Sequence, residues 1–312
     1  MSKFDIDDPF KDLTSVEKQI DALKLEFNYV EPVEKNLGYR IEDRYDASLE
    51  ETVPTKVYET FQYVPIIDVL KLILSNKEAR YYIMFERTAS IDLNVLSSFV
   101  DGETCLNHEF FQKYKNAIRL KIYYDEFEIV NPLGSKTGIH KIGGFYFVID
   151  NLPPHVNSAV SNIHIFTLCY DADAVKYSFK EILRPFLADL RKLESDGGVP
   201  IDLAGEEFIL RASISALCGD GLAIQKLYEM LSPSCNYFCR MCMISREELH
   251  NGSDGPFEKR SKELHATQLQ MLADNPGNAA VMTATGMRSD CSLNVSRYFH
   301  STENYGGFDC NA

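Results

Sequence analysis

The chain has 312 residues, 45% hydrophobic and 25% charged, with a net charge of −14; this is ordinary globular composition, with room for one large domain or two modest ones. No apolar run reaches about 18 residues, which argues against a membrane-spanning helix and a membrane partner. The acidic start Met-Ser-Lys-Phe-Asp-Ile-Asp-Asp lacks a secretory signal, and eight cysteines without one fit a reducing compartment, nuclear or cytoplasmic, and not secretion.

Half of the excess negative charge lies in residues 1–60, which carry 8 basic and 15 acidic side chains. One short amphipathic helix is predicted there from Val16, Ile20, Leu23 and Phe27, with Thr14 or Ser15 as its N-cap. The remainder, including Glu31 to Glu34, Asp43 to Asp46 and Glu50 to Pro54, reads as an acidic and largely disordered tail. Residues 61–117 read as a helical region. Val64 to Leu74 is apolar on most sides, with Pro65 at a first helical turn, and so belongs inside the protein.

From Ile118 the pattern changes to strands. Leu120 to Ile129 is the first, Asn131 to Lys136 a turn, Gly143 to Asn151 the second strand and Ile163 to Tyr170 the third. Phe179, Ile182, Leu183, Phe186, Leu187, Leu190 and Leu193 then trace a helix face, with a break expected at Pro185. Phe208 to Leu217 is a fourth strand and Leu222 to Leu231 a short helix. The order strand, strand, strand, helix, strand, helix predicts an α/β fold with a mixed sheet. It matches a ribonuclease H-like core over residues 118–232. Residues 233–312 are expected to form an irregular, cysteine-containing insertion and a final segment.

Two acids stand out by position. Asp125 ends the first strand-like run and Asp220 follows the fourth. Either one alone reads as a turn residue, Asp220-Gly221 especially. Brought together in one sheet they would supply two hard oxygen ligands for Mg²⁺, which can activate a water or hydroxyl and stabilise a leaving oxygen. Cys239 and Cys242 have the spacing of two ligands to one tetrahedral Zn²⁺, and the remaining ligands would come from Cys235, His250 and His265. Reduced thiols at the start of a connecting segment fit that spacing equally well. No cluster of Lys and Arg is dense enough for strong autonomous DNA binding.

The strings Tyr123 to Lys136, His140 to Phe147 and Asn151 to Pro154 together resemble transposase-like proteins of animal mobile elements, related to the CACTA-type DDE transposases. Gly219-Asp220-Gly221, Tyr237 to Cys242 and Cys291 to His300 are similar to later landmarks of that family, so the resemblance spans roughly residues 60–305. It implies a ribonuclease H-like nuclease core, with Asp125 and Asp220 as the first two of three metal-binding acids and DNA as the ancestral partner. The Cys-x2-Cys would belong to an insertion between the second and third acids. After Tyr305 the sequence departs from the family pattern. The expectation is therefore a partial core without its third acid, inactive as encoded. The alternative expectation is a zinc-stabilised protein-interaction module without nuclease activity.

Overall fold

A computed structural model of the protein describes residues 11–85, 101–129 and 141–304; the turn expected at 131–136 and the residues after 304 lie outside them. Helix α1 (Val16–Phe27) starts at Ser15, whose hydroxyl accepts the Lys18 N–H at 3.3 Å, and stops at Asn28 in the left-handed region. None of its residues is buried, so the predicted apolar stripe forms but packs on nothing among the described residues.

The rest of the N-terminal segment differs from the expected disorder. Strands β1 (Val33–Asp46) and β2 (Glu51–Tyr63) form a long antiparallel hairpin, in register from Val33–Tyr63 to Asp46–Glu51. The acidic composition concealed an alternation of Tyr, Ile, Val and Thr, which suits extended backbone. The charges are also paired across that surface: Glu42 accepts from Arg40 at 2.7 Å and from Arg44 at 2.9 Å. At the hairpin's base, Glu59 is buried against Lys176 (2.6 Å) and the Tyr177 hydroxyl. A bulge falls between Asn36 and Gly38, and a Cβ at Gly38 would sit 2.4 Å from Tyr177 Oη. Only glycine leaves room there for the phenol that reaches Glu59.

Among the described residues of 61–117, the end of β2 is followed by short helices. Helix α2 (Ile66–Ser75) follows Pro65 and buries Ile66, Val69, Leu70 and Leu74. Helices α3 (Lys77–Phe85), α4 (Glu103–Leu106) and α5 (Glu109–Lys113) complete this region among the described residues.

Next come β3 (Ile118–Glu128), β4 (Lys141–Ile149), α6 (Pro154–Asn157) and β5 (His164–Tyr170). Helices α7 (Asp171–Ile182) and α8 (Arg184–Leu193) break from each other at Leu183, with Pro185 in the first turn of α8. That is where the sequence placed the interruption, because proline is tolerated at a helix start and not inside one. Strands β6 (Val199–Leu203) and β7 (Glu206–Leu210) pair as a separate small sheet. The single strand expected over 208–217 is therefore two: β7, and β8 (Ala212–Cys218), which enters the main sheet. Helix α9 (Gly221–Leu227) follows.

The main sheet has the order β1-β2-β5-β4-β3-β8. Strand β4 is antiparallel to both β3 and β5, and β8 is parallel to β3. Strands β3, β5 and β8 therefore run in the same direction, and their C-terminal ends share one end of the sheet. The fold is a mixed α/β sheet with helices packed on it. Ile118, Leu120, Ile122 and Tyr124 of β3 share a face with Phe145, Phe147 and Ile149 of β4, and all are buried. That face packs on α7 and α8 through the ring pairs Tyr124–Phe179 (5.1 Å) and Phe166–Phe186 (4.6 Å). Each fully buried ring contributes about 1.5–3 kcal/mol relative to exposure.

The C-terminal region is more ordered than the irregular insertion expected. It holds α10 (Arg246–His250), α11 (Lys262–Asp274), α12 (Ala279–Thr285) and a 3-10 turn at Ser292–Val295. An antiparallel bridge between Met230 and Met287 joins it to the chain after α9. The buried carboxylate of Glu194 fastens it a second time, accepting from Ser213 Oγ and Ser296 Oγ at 2.7 Å each.

Candidate functional site

The common direction of β3, β5 and β8 gathers acids at one end of the sheet. Asp125 and Glu126 lie near the end of β3, Asp171 directly follows β5, and Asp220 follows β8 by two residues. In the parallel β3–β8 ladder Tyr123 pairs with Cys218, so Asp125 and Asp220 each stand two residues beyond a matched pair. Both line one cavity of about 440 Å³, together with Glu126, Lys141, Lys226 and Arg288.

Local geometry explains how each acid is held. Asp125 sits opposite Gly144 of β4. A Cβ at Gly144 would come 2.5 Å from Tyr146 Oη, so glycine leaves space for the phenol to fold along the strand next to the acid. Burial, and secondarily the charge of Asp125, raise the Tyr146 pKa. Asp220 is the N-cap of α9 and accepts the Ala223 N–H at 2.7 Å. The residue before it must be small: a Cβ at Gly219 would lie 3.0 Å from the Tyr124 carbonyl oxygen. Close approach of β8 to β3 thus depends on that glycine.

Each aspartate uses one oxygen in a local bond, Asp125 Oδ1 accepting from the Glu126 N–H at 2.8 Å. Among the described residues no hydrogen bond reaches the second oxygen of either. The donor set fits a hard cation such as Mg²⁺, which is held by one or two carboxylates and keeps several waters.

Glu126 lies on the opposite face of β3 and is engaged differently. Lys226 of α9 donates to Glu126 Oε1 at 2.5 Å and also binds Asp171 Oδ1, and the Tyr124 hydroxyl donates to Glu126 at 3.1 Å. Burial pushes the Glu126 carboxyl upward, but the Lys226 bond and charge outweigh it and leave its pKa lowered. Burial works against the Lys226 ammonium, and bonds from Asp171 and Glu126 overcome it, so the lysine pKa is raised. Lys226 therefore ties β3, α7 and α9 into one corner and neutralises two of the four gathered acids. Sequence reading missed Lys226, Glu126 and Asp171. The one available signal was that the third predicted strand, Ile163 to Tyr170, stops just before Asp171.

Cys235, Cys239 and Cys242 surround a buried guanidinium. Arg260 donates to the carbonyls of Cys239 (2.8 Å), Thr285 (3.0 Å) and Tyr237 (3.3 Å) and to Gln268 Oε1 (3.0 Å). Burial lowers its pKa, and the three nearby thiols act in the opposite sense. His265 has a different partner from the one expected: its Nε2 lies 2.9 Å from Asp290 Oδ1, with the His300 ring 5.1 Å away. His250 ends α10. Among the described residues no three His, Cys, Asp or Glu side chains form a group that could hold a metal ion. The Asp290 carboxylate, the Asn294 amide and the His300 ring surround the buried His265.

No protein-family model matches the chain, and a comparison with the curated proteins finds no match. Among the described residues no helix is long and apolar enough to cross a membrane.

Proposed function

We propose that this chain is a transposase-like protein of mobile-element descent, with a ribonuclease H-like core whose metal-dependent DNA strand-transfer or nuclease site is inactive as encoded. The observation that carries the reading is that Asp125 and Asp220, 95 positions apart in sequence, both line one cavity at the ends of neighbouring parallel strands. The order β5-β4-β3-β8, with one antiparallel neighbour and one parallel neighbour for β3, supports it. Asp125 and Asp220 would hold Mg²⁺, which supplies activation of the attacking oxygen and stabilisation of the leaving one. The N-cap bond to Ala223 holds Asp220 in place.

The charge balance of the cavity supports inactivity. The cavity holds the acids Asp125, Glu126 and Asp220 against the bases Lys141, Lys226 and Arg288. A two-metal reaction needs several uncompensated carboxylates to hold ions about 4 Å apart. DNA is accordingly a weak partner for this chain alone, protein partners are the more natural associates, and the reading implies a nuclear or cytoplasmic setting.

Calorimetry with Mn²⁺ tests the site: weak binding by the wild type, abolished in Asp125→Asn, is expected. Equal heats for the two proteins would refute the shared site. Incubation with supercoiled DNA and Mg²⁺ or Mn²⁺ tests the chemistry. Intact plasmid is the expected result, and nicking that vanishes in Asp125→Ala would overturn the claim of inactivity.

The second reading, a zinc-stabilised interaction module, draws on the three thiols around Arg260. It expects Cys239→Ser to unfold the C-terminal region and Asp125→Ala to leave it intact. A zinc-selective chelator would lower the melting temperature under this reading.

A further inference from the structure

The β1–β2 hairpin extends well beyond the sheet that anchors it. Of its cross-strand pairs, only the end at Gln62 and Tyr63 is joined to β5. From Gly38–Glu59 outward to Asp46–Glu51 it is a two-stranded ribbon with no third strand among the described residues. Isolated two-stranded ribbons are marginally stable in water, and a third strand is the usual remedy. One face is conspicuously apolar for an exposed surface: Tyr39 is 55% exposed, Tyr58 58%, Ile41 59% and Tyr45 68%.

The two long edges of the ribbon are not equivalent. Strand β2 carries Pro54, which has no N–H to offer a neighbour, and its base is closed by the Glu59–Lys176–Tyr177 contacts. Strand β1 has no proline from Val33 to Asp46 and, among the described residues, is the terminal strand of the sheet. It is the edge available for strand addition.

We propose that two copies of this chain pair edge to edge through β1, antiparallel about a two-fold axis at Ile41. The charge sequence of β1 selects this occupant. With the axis at Ile41, Arg40 falls opposite Glu42 of the second copy, a contact that occurs twice by symmetry. Tyr39 then faces Asp43 and Arg44 faces Gly38, so no like charges oppose each other over the regular stretch beyond the bulge. Moving the axis to Glu42 would set Arg40 against Arg44, and moving it to Asp43 would set that acid against itself. The pairing joins two ribbons into four strands and puts the exposed Tyr and Ile side chains of both copies on a continuous face. Strands that meet through main-chain hydrogen bonds with matched side chains are a general mode of association.

Sedimentation equilibrium of the full chain tests the proposal. A concentration-dependent dimer is expected for the wild type. Glu42→Arg, which would oppose Arg40 of the other copy, is expected to weaken it about tenfold, and adding Arg40→Glu to the same chain to restore most of the loss. Circular dichroism and melting of each variant show whether the hairpin itself survives. Independently, Ile41→Cys is expected to give a disulfide-linked dimer under mild oxidation, above the wild-type background, whereas Tyr45→Cys is not. A wild type that stays monomeric up to about 100 µM overturns the proposal. So does a dimer indifferent to Glu42→Arg that fails to cross-link through position 41, since the interface would then lie elsewhere.

Discussion

Between β3 and β4 the opposed pairs Ile122–Phe147 and Tyr124–Phe145 lie sealed beneath α7, whereas between β1 and β2 the pairs Tyr39–Tyr58 and Ile41–Lys56 face solvent. Both ladders are antiparallel and both alternate along the strand. The central one is stabilised by ring burial on one face. The ribbon relies on cross-strand contacts, the Arg40–Glu42–Arg44 pairing and one buried carboxylate at its base. Alternation alone therefore makes a strand, and what covers the strand decides how strongly it is held.

The largest effect should come from the sealed region. Phe166 is fully buried against Phe186 and Phe145, and Phe166→Ala is expected to cost about 3–5 kcal/mol in denaturant unfolding. An effect below about 1 kcal/mol would mean the ring is not enclosed as described.

At the sheet's end the balance is electrostatic. Lys226→Met removes the partner of Glu126 and Asp171, two carboxylates with limited exposure. A loss of about 2–3 kcal/mol is expected. The same change removes a positive charge from the cavity, so Mn²⁺ affinity should rise roughly tenfold even as stability falls. Opposite movement of the two quantities distinguishes a neutralised metal site from a simple structural ion pair.

Smaller effects belong to the ribbon. Glu59→Gln keeps the shape and should cost about 1–2 kcal/mol at pH 7. Hydrogen bonds from Lys176 and Tyr177, with Arg40 adding to them, hold the Glu59 pKa below the usual carboxylate range. Its contribution is therefore present above the unfolded value of about 4.3 and disappears as pH falls through the depressed folded value. Glu194 behaves in the opposite sense. Burial raises its pKa, despite bonds from Ser213 and Ser296. Its linkage contribution is complete below the unfolded value and is lost as pH rises through the folded one. Melting curves from acid to neutral pH should thus lose part of their acid-side slope in Glu59→Gln, while Glu194→Gln changes the slope with the reverse sign.

The sealed region was also the legible one. Apolar runs such as Ile163 to Tyr170 announce a central strand, and Pro185 announces a helix start because its missing N–H permits little else. The ribbon was hidden because Glu, Asp and Arg in a sequence look the same whether solvated or paired across strands. Asp220 could be singled out by its place after a strand, whereas Asp125, read as a strand end, lies inside β3 opposite Gly144, three residues before the strand stops. Lys226 could not, since a lysine on a short helix meets Glu126 and Asp171 only after three elements have packed. The cysteine spacing was equally visible, yet spacing says nothing of the Arg260 guanidinium that comes to lie among the thiols, or of Asp290 beside His265.

The central claim is that Asp125 and Asp220 act on one ion, and a double-mutant cycle on Mn²⁺ binding tests it most directly. Asp125→Asn, Asp220→Asn and the double variant should all lose binding to the same extent, because removing either ligand already dismantles a shared site. Losses that simply add, or a Asp220→Asn protein that binds like wild type, would place the two carboxylates in separate roles and contradict the account.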